Sequence, residues 1–135
     1  VKEIEDEALD SLYTTKRYTK VSEKHYETVV QGMRAAVTGG TCRAANLPGL
    51  DVCGKTGTAQ NKGKDHSAFM GFAPMNNPKI AVAVYVENGG WGATYGVPIG
   101  ALIMEKYLNG TLSPQSEMKA SDIQMRRIDY GVHER

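Results

Sequence analysis

The sequence lacks most of what would assign it by composition alone. Its longest apolar run, Ile80 to Val86, is far shorter than the roughly 20 residues a bilayer-spanning helix needs, and no basic-then-apolar signal segment opens it. Any anchor or export signal is expected outside these residues. Cysteine is scarce: Cys42 and Cys53 lack CxxC spacing and a His pair beside them, which argues against a zinc or redox centre. Two readings stay open for them, a disulfide if the chain is exported or two buried free thiols. No sign of charge dominates either, since 16 Lys and Arg against 15 Asp and Glu leave +1. That balance excludes the electrostatic footprint of a nucleic-acid binder. The first residue is Val1 rather than methionine and stands in mid-pattern, which reads as a piece of something longer.

What is present is ordinary globular material: 135 residues, 41% hydrophobic and 23% charged, enough for one domain with a modest core. From Ser22 to Val37, Tyr26, Val29, Val30, Met33 and Val37 fall on one helix face, with Ser22 placed to cap and Gly39-Gly40 to stop. The segment before it, Val1 to Leu12, is compatible with a helix or with a strand end. Leu50 to Gln60 reads as extended through its β-branched Val52, Thr56 and Thr58. His66 to Ala73 follows the polar turn 61–65, so the two form a hairpin. Lys79 to Glu87 alternates Ile80, Val82, Val84 and Val86 with Ala81, Ala83 and Tyr85; both faces are apolar, which predicts layers packed on each side and a strand interior to a complete domain, its outer edge open to being bare in this piece. A helix then runs from about Pro98, with Ile99, Leu102, Ile103 and Leu108 as its apolar marks and Gly110 as its stop. The polar remainder contains Pro114 and allows one helix starting near Ser113.

Chemistry concentrates in Gly54-Lys55-Thr56-Gly57-Thr58-Ala59-Gln60. Gly49 to Thr56 satisfies the phosphate-loop pattern GxxxxGK[ST], but that loop needs small wrapping residues and an immediate helix. Leu50 and Val52 belong in a strand, and Gly57 would break the helix's first turn. The competing reading is the Lys-Thr-Gly strand of penicillin-reactive serine acyltransferases. A strand edge can pair with an extended peptide, Gly57 clears the approach, Lys55 supplies a compact positive charge, and Thr56 and Thr58 supply hydroxyls for a carboxylate. Taken alone, three letters fit a Gly-containing edge strand with solvated Lys and Thr better.

The pattern extends through His66-Ser-Ala-Phe-Met-Gly-Phe-Ala-Pro74 and Ile80-Ala-Val-Ala-Val-Tyr-Val-Glu-Asn-Gly-Gly90. Together these resemble the end of the transpeptidase domain of class B penicillin-binding proteins. The Glu87-Asn88-Gly89-Gly90 ending resembles those of rod-shape elongation more than the septal ones. The resemblance implies an α+β fold, an antiparallel sheet of at least three strands with two main helices, part of a five-stranded sheet in the family. It implies that residues 1–110 are the C-terminal portion of that domain and 111–135 a polar tail. Lys55 would assist proton movement and orientation, Thr56 and Thr58 would bind the terminal carboxylate of a stem peptide or a β-lactam, and the Thr58 amide would form half of an oxyanion hole. Gly57 would leave room for the peptide.

Implied partners are peptidoglycan stem peptides, β-lactam antibiotics and a membrane glycosyltransferase of the full-length protein, with no nucleic acid, no cofactor and no metal. The implied location is the periplasmic side of the inner membrane. One departure is decisive: no SxxK nucleophile motif precedes the Lys-Thr-Gly strand. Ser116-Glu-Met-Lys119 and Tyr107-Leu-Asn109 mimic the missing motifs but follow it, the wrong order for the family, so the nucleophile is expected outside this chain.

Trp91 and Tyr95, on the Gly-rich loop, are candidates either to border the substrate cleft or simply to pack. His66 reads as structural, His25 and His133 as surface residues, and Arg126-Arg127 as a solvated pair. A non-catalytic interaction module is the alternative to the transpeptidase, and a nucleotide-binding domain comes last.

Overall fold

The computed structural model describes residues 14–128, so the segment from Val1 to Leu12 and His133 lie outside the described residues. Helix α1 spans Glu23–Thr38, a 3-10 turn follows at Arg43–Ala45, then strands β1 (Cys53–Ala59), β2 (His66–Ala73) and β3 (Ile80–Val86), helix α2 (Gly96–Asn109) and helix α3 (Pro114–Met125). The strands form one antiparallel sheet in the order β1-β2-β3. Lys55 stands opposite Met70, and Phe69 opposite both Thr56 and Val84. The expected α+β arrangement of an antiparallel sheet packed with helices is what forms.

Alternation along each strand gives the sheet two faces. One carries Thr56, Ser67, Phe69, Gly71, Ala73, Val82 and Val84 and lies under α2. Its core joins Phe69 and Ala73 to Val97, Ala101 and Met104 of α2, to Val37 at the end of α1, and to Cys42, Ala45, Leu50 and Val52 from the connecting segment. Phe69 sits in a space cleared by three glycines. A Cβ added at Gly54, Gly71 or Gly100 would fall 2.5, 2.7 or 2.5 Å from its ring.

The α2 face differs from the expectation. The residues turned inward include Val97, Gly100, Ala101, Met104 and Glu105; of the expected marks Leu108 packs against the core, whereas Ile103 is 44% exposed. The large residues Leu102 and Ile103 cannot occupy the contact because the helix must come close enough to touch the Phe69 ring, and only Gly100 and Ala101 permit that approach. Hydrophobicity marked the helix but volume chose its face.

Two further expectations need correction. β3 ends the sheet among the described residues, with no strand paired to its outer edge, as the reading of this piece allowed, but the expected layer on its second face is missing: Ala81, Ala83 and Tyr85 are exposed. Alternation records which side chains are apolar, not what covers them. Helix α1 packs only at its C-terminal end, where Val37 is buried and Arg34 Nη1 donates to the Val52 carbonyl at 3.0 Å. Tyr26 and Val29, on the expected apolar face, are exposed.

Gly39 and Gly40 close α1 as expected, their amides donating to Ala35 and Ala36. Gly110 closes α2 in the left-handed region at φ 75°. The polar remainder is not all loose tail. Ser113 caps α3, accepting from the Ser116 amide at 3.3 Å, and Pro114 occupies the first turn. Ser113 N also donates to Glu105 Oε1 of α2 at 3.1 Å.

Candidate active site

The Lys-Thr-Gly residues lie mid-strand in β1, extended throughout, with Lys55, Thr56, Gly57 and Thr58 opposite Met70, Phe69, Ala68 and Ser67. No helix begins at Lys55 or Thr56, so the phosphate-loop reading fails: amides committed to a strand cannot wrap a phosphate. β1 pairs only with β2 among the described residues, which leaves its other edge open to an extended ligand.

Each candidate has a definite setting. Lys55 is exposed, and its Nζ donates to the Thr56 carbonyl at 2.8 Å. Thr56 points to the packed face and shares a 2.9 Å hydroxyl–hydroxyl hydrogen bond with Thr41, from the loop after α1. Thr58 is exposed, and Gly57 is half-buried. A methyl group at Gly57 would come within 3.3 Å of the Ala68 Cβ, so the position is tight on the sheet side as well as toward a ligand.

Trp91 and Tyr95 belong to the loop between β3 and α2. Trp91 is 74% exposed, while Tyr95 is half-buried at the start of α2. This loop lies on the strand: a Cβ at Gly92 would sit 2.7 Å from the Gly57 carbonyl oxygen and 3.0 Å from the Thr56 Cβ. The structure thus brings Lys55, Thr56, Gly57, Thr58 and the Trp91–Tyr95 loop to one strand and its border.

Ser67 is a residue that sequence reasoning missed. Fully buried on β2, its hydroxyl donates to the Trp91 carbonyl at 2.9 Å and accepts from the Gly96 amide at 3.0 Å. The signal was available: a serine on the same face as Phe69, Gly71 and Ala73 is a buried polar group that needs partners. His66 has the structural setting expected of it, its Nδ1 accepting from the Asn88 amide at 3.0 Å.

The mimic of the nucleophile motif is far from serving. Ser116 is buried inside the first turn of α3, beside Glu105 rather than β1. Cys42 is no substitute nucleophile either, because burial pushes its thiol up against the opposing effects of Thr41, the Thr56 backbone and the Lys55 charge. Cys53 is raised by burial as well, and both cysteines are free. Among the described residues no three His, Cys, Asp or Glu side chains converge as a metal site, and no helix is long and apolar enough to cross a membrane.

An open strand edge bearing Lys-Thr-Gly is thus bordered on one side by a Gly-rich aromatic loop. The model of the penicillin binding protein transpeptidase domain matches residues 1–108, and the chain belongs to that family. Over 92 residues it is 35% identical to the peptidoglycan D,D-transpeptidase MrdA of Haemophilus influenzae, covering 56% of this chain and 14% of that protein. Among solved structures it resembles Pseudomonas aeruginosa PBP2 in complex with WCK 5153, at TM-score 0.60 and 39% identity over 73% of this chain and 23% of that one. Penicillin-binding protein A of M. tuberculosis as a ceftriaxone acyl-enzyme complex is similar at TM-score 0.60 and 32% identity, over 70% and 24% of the two chains. The chain thus spans a quarter or less of the length of these relatives.

Proposed function

We propose that this chain supplies the carboxylate-binding and oxyanion wall of a serine D,D-transpeptidase that cross-links peptidoglycan stem peptides and is acylated by penicillin. The observation that carries the proposal is the extended Lys55 to Thr58 strand with its open edge and its bordering loop. The acyl-enzyme form of the M. tuberculosis relative supports the reaction type.

In this reading a serine outside the chain attacks the carbonyl between the two terminal D-alanines, and the terminal D-alanine leaves as an amine. An amine of a neighbouring stem then attacks the ester and releases the serine. Lys55 orients and moves protons near the site, Thr56 and Thr58 hold the carboxylate, and the Thr58 amide faces the oxygen that gains charge in the tetrahedral intermediate. Trp91 and Tyr95 border the bound peptide. A membrane glycosyltransferase partner and a place on the periplasmic side of the inner membrane belong to the same proposal, on the family resemblance.

Alone, the chain holds half an oxyanion hole and no nucleophile. Labelled penicillin is therefore expected to acylate the whole protein, and to leave no adduct on the isolated 135-residue chain when both are examined by intact mass. Failure of the whole protein to acylate would refute the proposal. An adduct on the isolated chain, above all at Ser116, would refute the external nucleophile.

A further inference from the structure

The C-terminal helix lies beyond the residues that the family model matches, yet it reaches back to the loop over the Lys-Thr-Gly strand. Its last turn ends at Arg126, which the sequence suggested was a solvated charge. In the structure the Arg126 Nη1 donates to the Thr94 carbonyl at 3.2 Å, and Nη2 pairs with Asp122 Oδ2 at 2.6 Å, one turn earlier. The guanidinium carbon also lies 5.5 Å from the centroid of the Tyr95 ring. Each contact is partly solvated and modest by itself. All three meet on one planar group whose donors are set in a rigid fork, so they fix its orientation together.

The segment they hold is pinned from the other side as well. Trp91 O accepts from Thr94 N at 2.8 Å and from the buried Ser67 hydroxyl at 2.9 Å, and Gly92 O accepts from Val97 N at 3.0 Å. Gly92 is pressed so closely on the backbone of Gly57 and Ala68 that no side chain fits between. The loop therefore bears on β1 at Thr56 and Gly57, with Ser67 fixing its inner side and Arg126 its outer side. The start of α3 is tied down too, through Ser113 and the buried Glu105, which lets the helix act as a strap.

We propose that Arg126 is a positioning residue for the acyl-transfer site: from α3 it holds the 91–95 loop against Thr56 and Gly57. This rests on the function proposed above for that strand. In the whole protein carrying this chain, Arg126→Ala is expected to raise hydrogen exchange of the amides from Gly92 to Val97. It should lower the second-order rate of acylation by a fluorescent penicillin roughly three- to tenfold, the scale of one or two partly exposed contacts. Arg126→Lys, which keeps the charge but not the fork, should rescue neither readout. Asp122→Asn should move both in the same direction by less, and Arg127→Ala should move neither.

Unchanged exchange over the 92–97 amides in Arg126→Ala and Asp122→Asn overturns the inference, whatever happens to acylation. Full rescue by Arg126→Lys overturns it too, by reducing the role to charge. Should Arg126→Ala unfold α3, the Asp122→Asn exchange decides the matter. If the wild-type protein is never acylated, the proposed function fails, but hydrogen exchange still tests the strap.

Discussion

The two faces of the sheet are built from the same three strands and have opposite fates. Under α2, Phe69 is 2% exposed and fits against three glycines. On the other face Met70 is 61% exposed and Tyr85 58%, although both are large and mostly apolar. There Met33 of α1 reaches over one end only, bordering a shallow groove with Met70, Phe72, Ala81 and Ala83. What separates the faces is shape. The packed face has small residues where a helix must approach and a large ring where space remains, whereas the open face offers apolar area without a partner among the described residues.

That comparison can be broken most directly by truncation. In the isolated chain, Phe69→Ala is expected to cost about 3–5 kcal/mol of unfolding free energy in a urea melt, as a large ring leaves a cavity. Met70→Ala, already solvated, should cost less than about 1 kcal/mol. Equal losses would mean that the open face is covered in solution.

Lys55 lies on the open face, so Lys55→Ala should separate function from stability. The acylation rate of the whole protein is expected to fall roughly a hundredfold or more if the lysine serves proton transfer and transition-state charge. The melting temperature should barely move. A large loss of stability with unchanged acylation would make Lys55 structural.

On the packed side, Glu105 offers a subtler probe. Burial pushes its carboxyl up, but Ser116, Ser113 and the Lys119 charge outweigh that and hold it below its ordinary value of 4.5. Its Oε1 accepts from Ser113 N at 3.1 Å, and hydrogen bonding by Ser116 and Ser113 favours the charged form ahead of the Lys119 charge. A carboxyl lowered on folding contributes stability that is complete above its unfolded value and is lost as pH falls through the folded one. The difference in stability between the wild type and Glu105→Gln should therefore be flat above pH 4.5 and shrink at more acid pH. A difference that grows on acidification would invert the assignment. The smallest expected effect is none: Cys42 and Cys53, both buried, should stay unreactive to a thiol reagent until the chain unfolds. A fast-reacting thiol in the native chain would show that its surroundings open.

Much of this was legible in the residues. The bounds of β2 were readable from the polar turn before it and the alternation within it, and the start of α3 from Ser113 and Pro114. β1 is shorter than the extended run from Leu50, because Leu50 and Val52 leave the sheet to join the core beneath it. The bare outer edge of β3 was legible, but its uncovered second face was not, since its alanines suit close packing whether or not a layer is present. Nor was the inward stripe of α2, which depends on the volume of a phenylalanine some thirty residues earlier. In the candidate site, Lys55 to Thr58 and the aromatic loop could be found by motif. Arg126 could not, because a basic residue in a polar stretch carries no mark of the carbonyl it meets 32 residues away.

The ring of Phe69 and its three glycines amount to an interlock of volumes, and such interlocks change only in pairs. Gly54 stands immediately before Lys55, so the ring that fills the space also sets how closely the Lys-Thr-Gly stretch lies on the sheet. A methyl group at Gly100 alone would meet the ring at 2.5 Å and push against the strand. The same change made together with Phe69→Leu should recover part of the lost stability, giving a coupling well outside additivity. Any drift in this family member toward a larger α2 residue must therefore travel with a smaller one at position 69, and a screen for compensating substitutions would find the two sites as one.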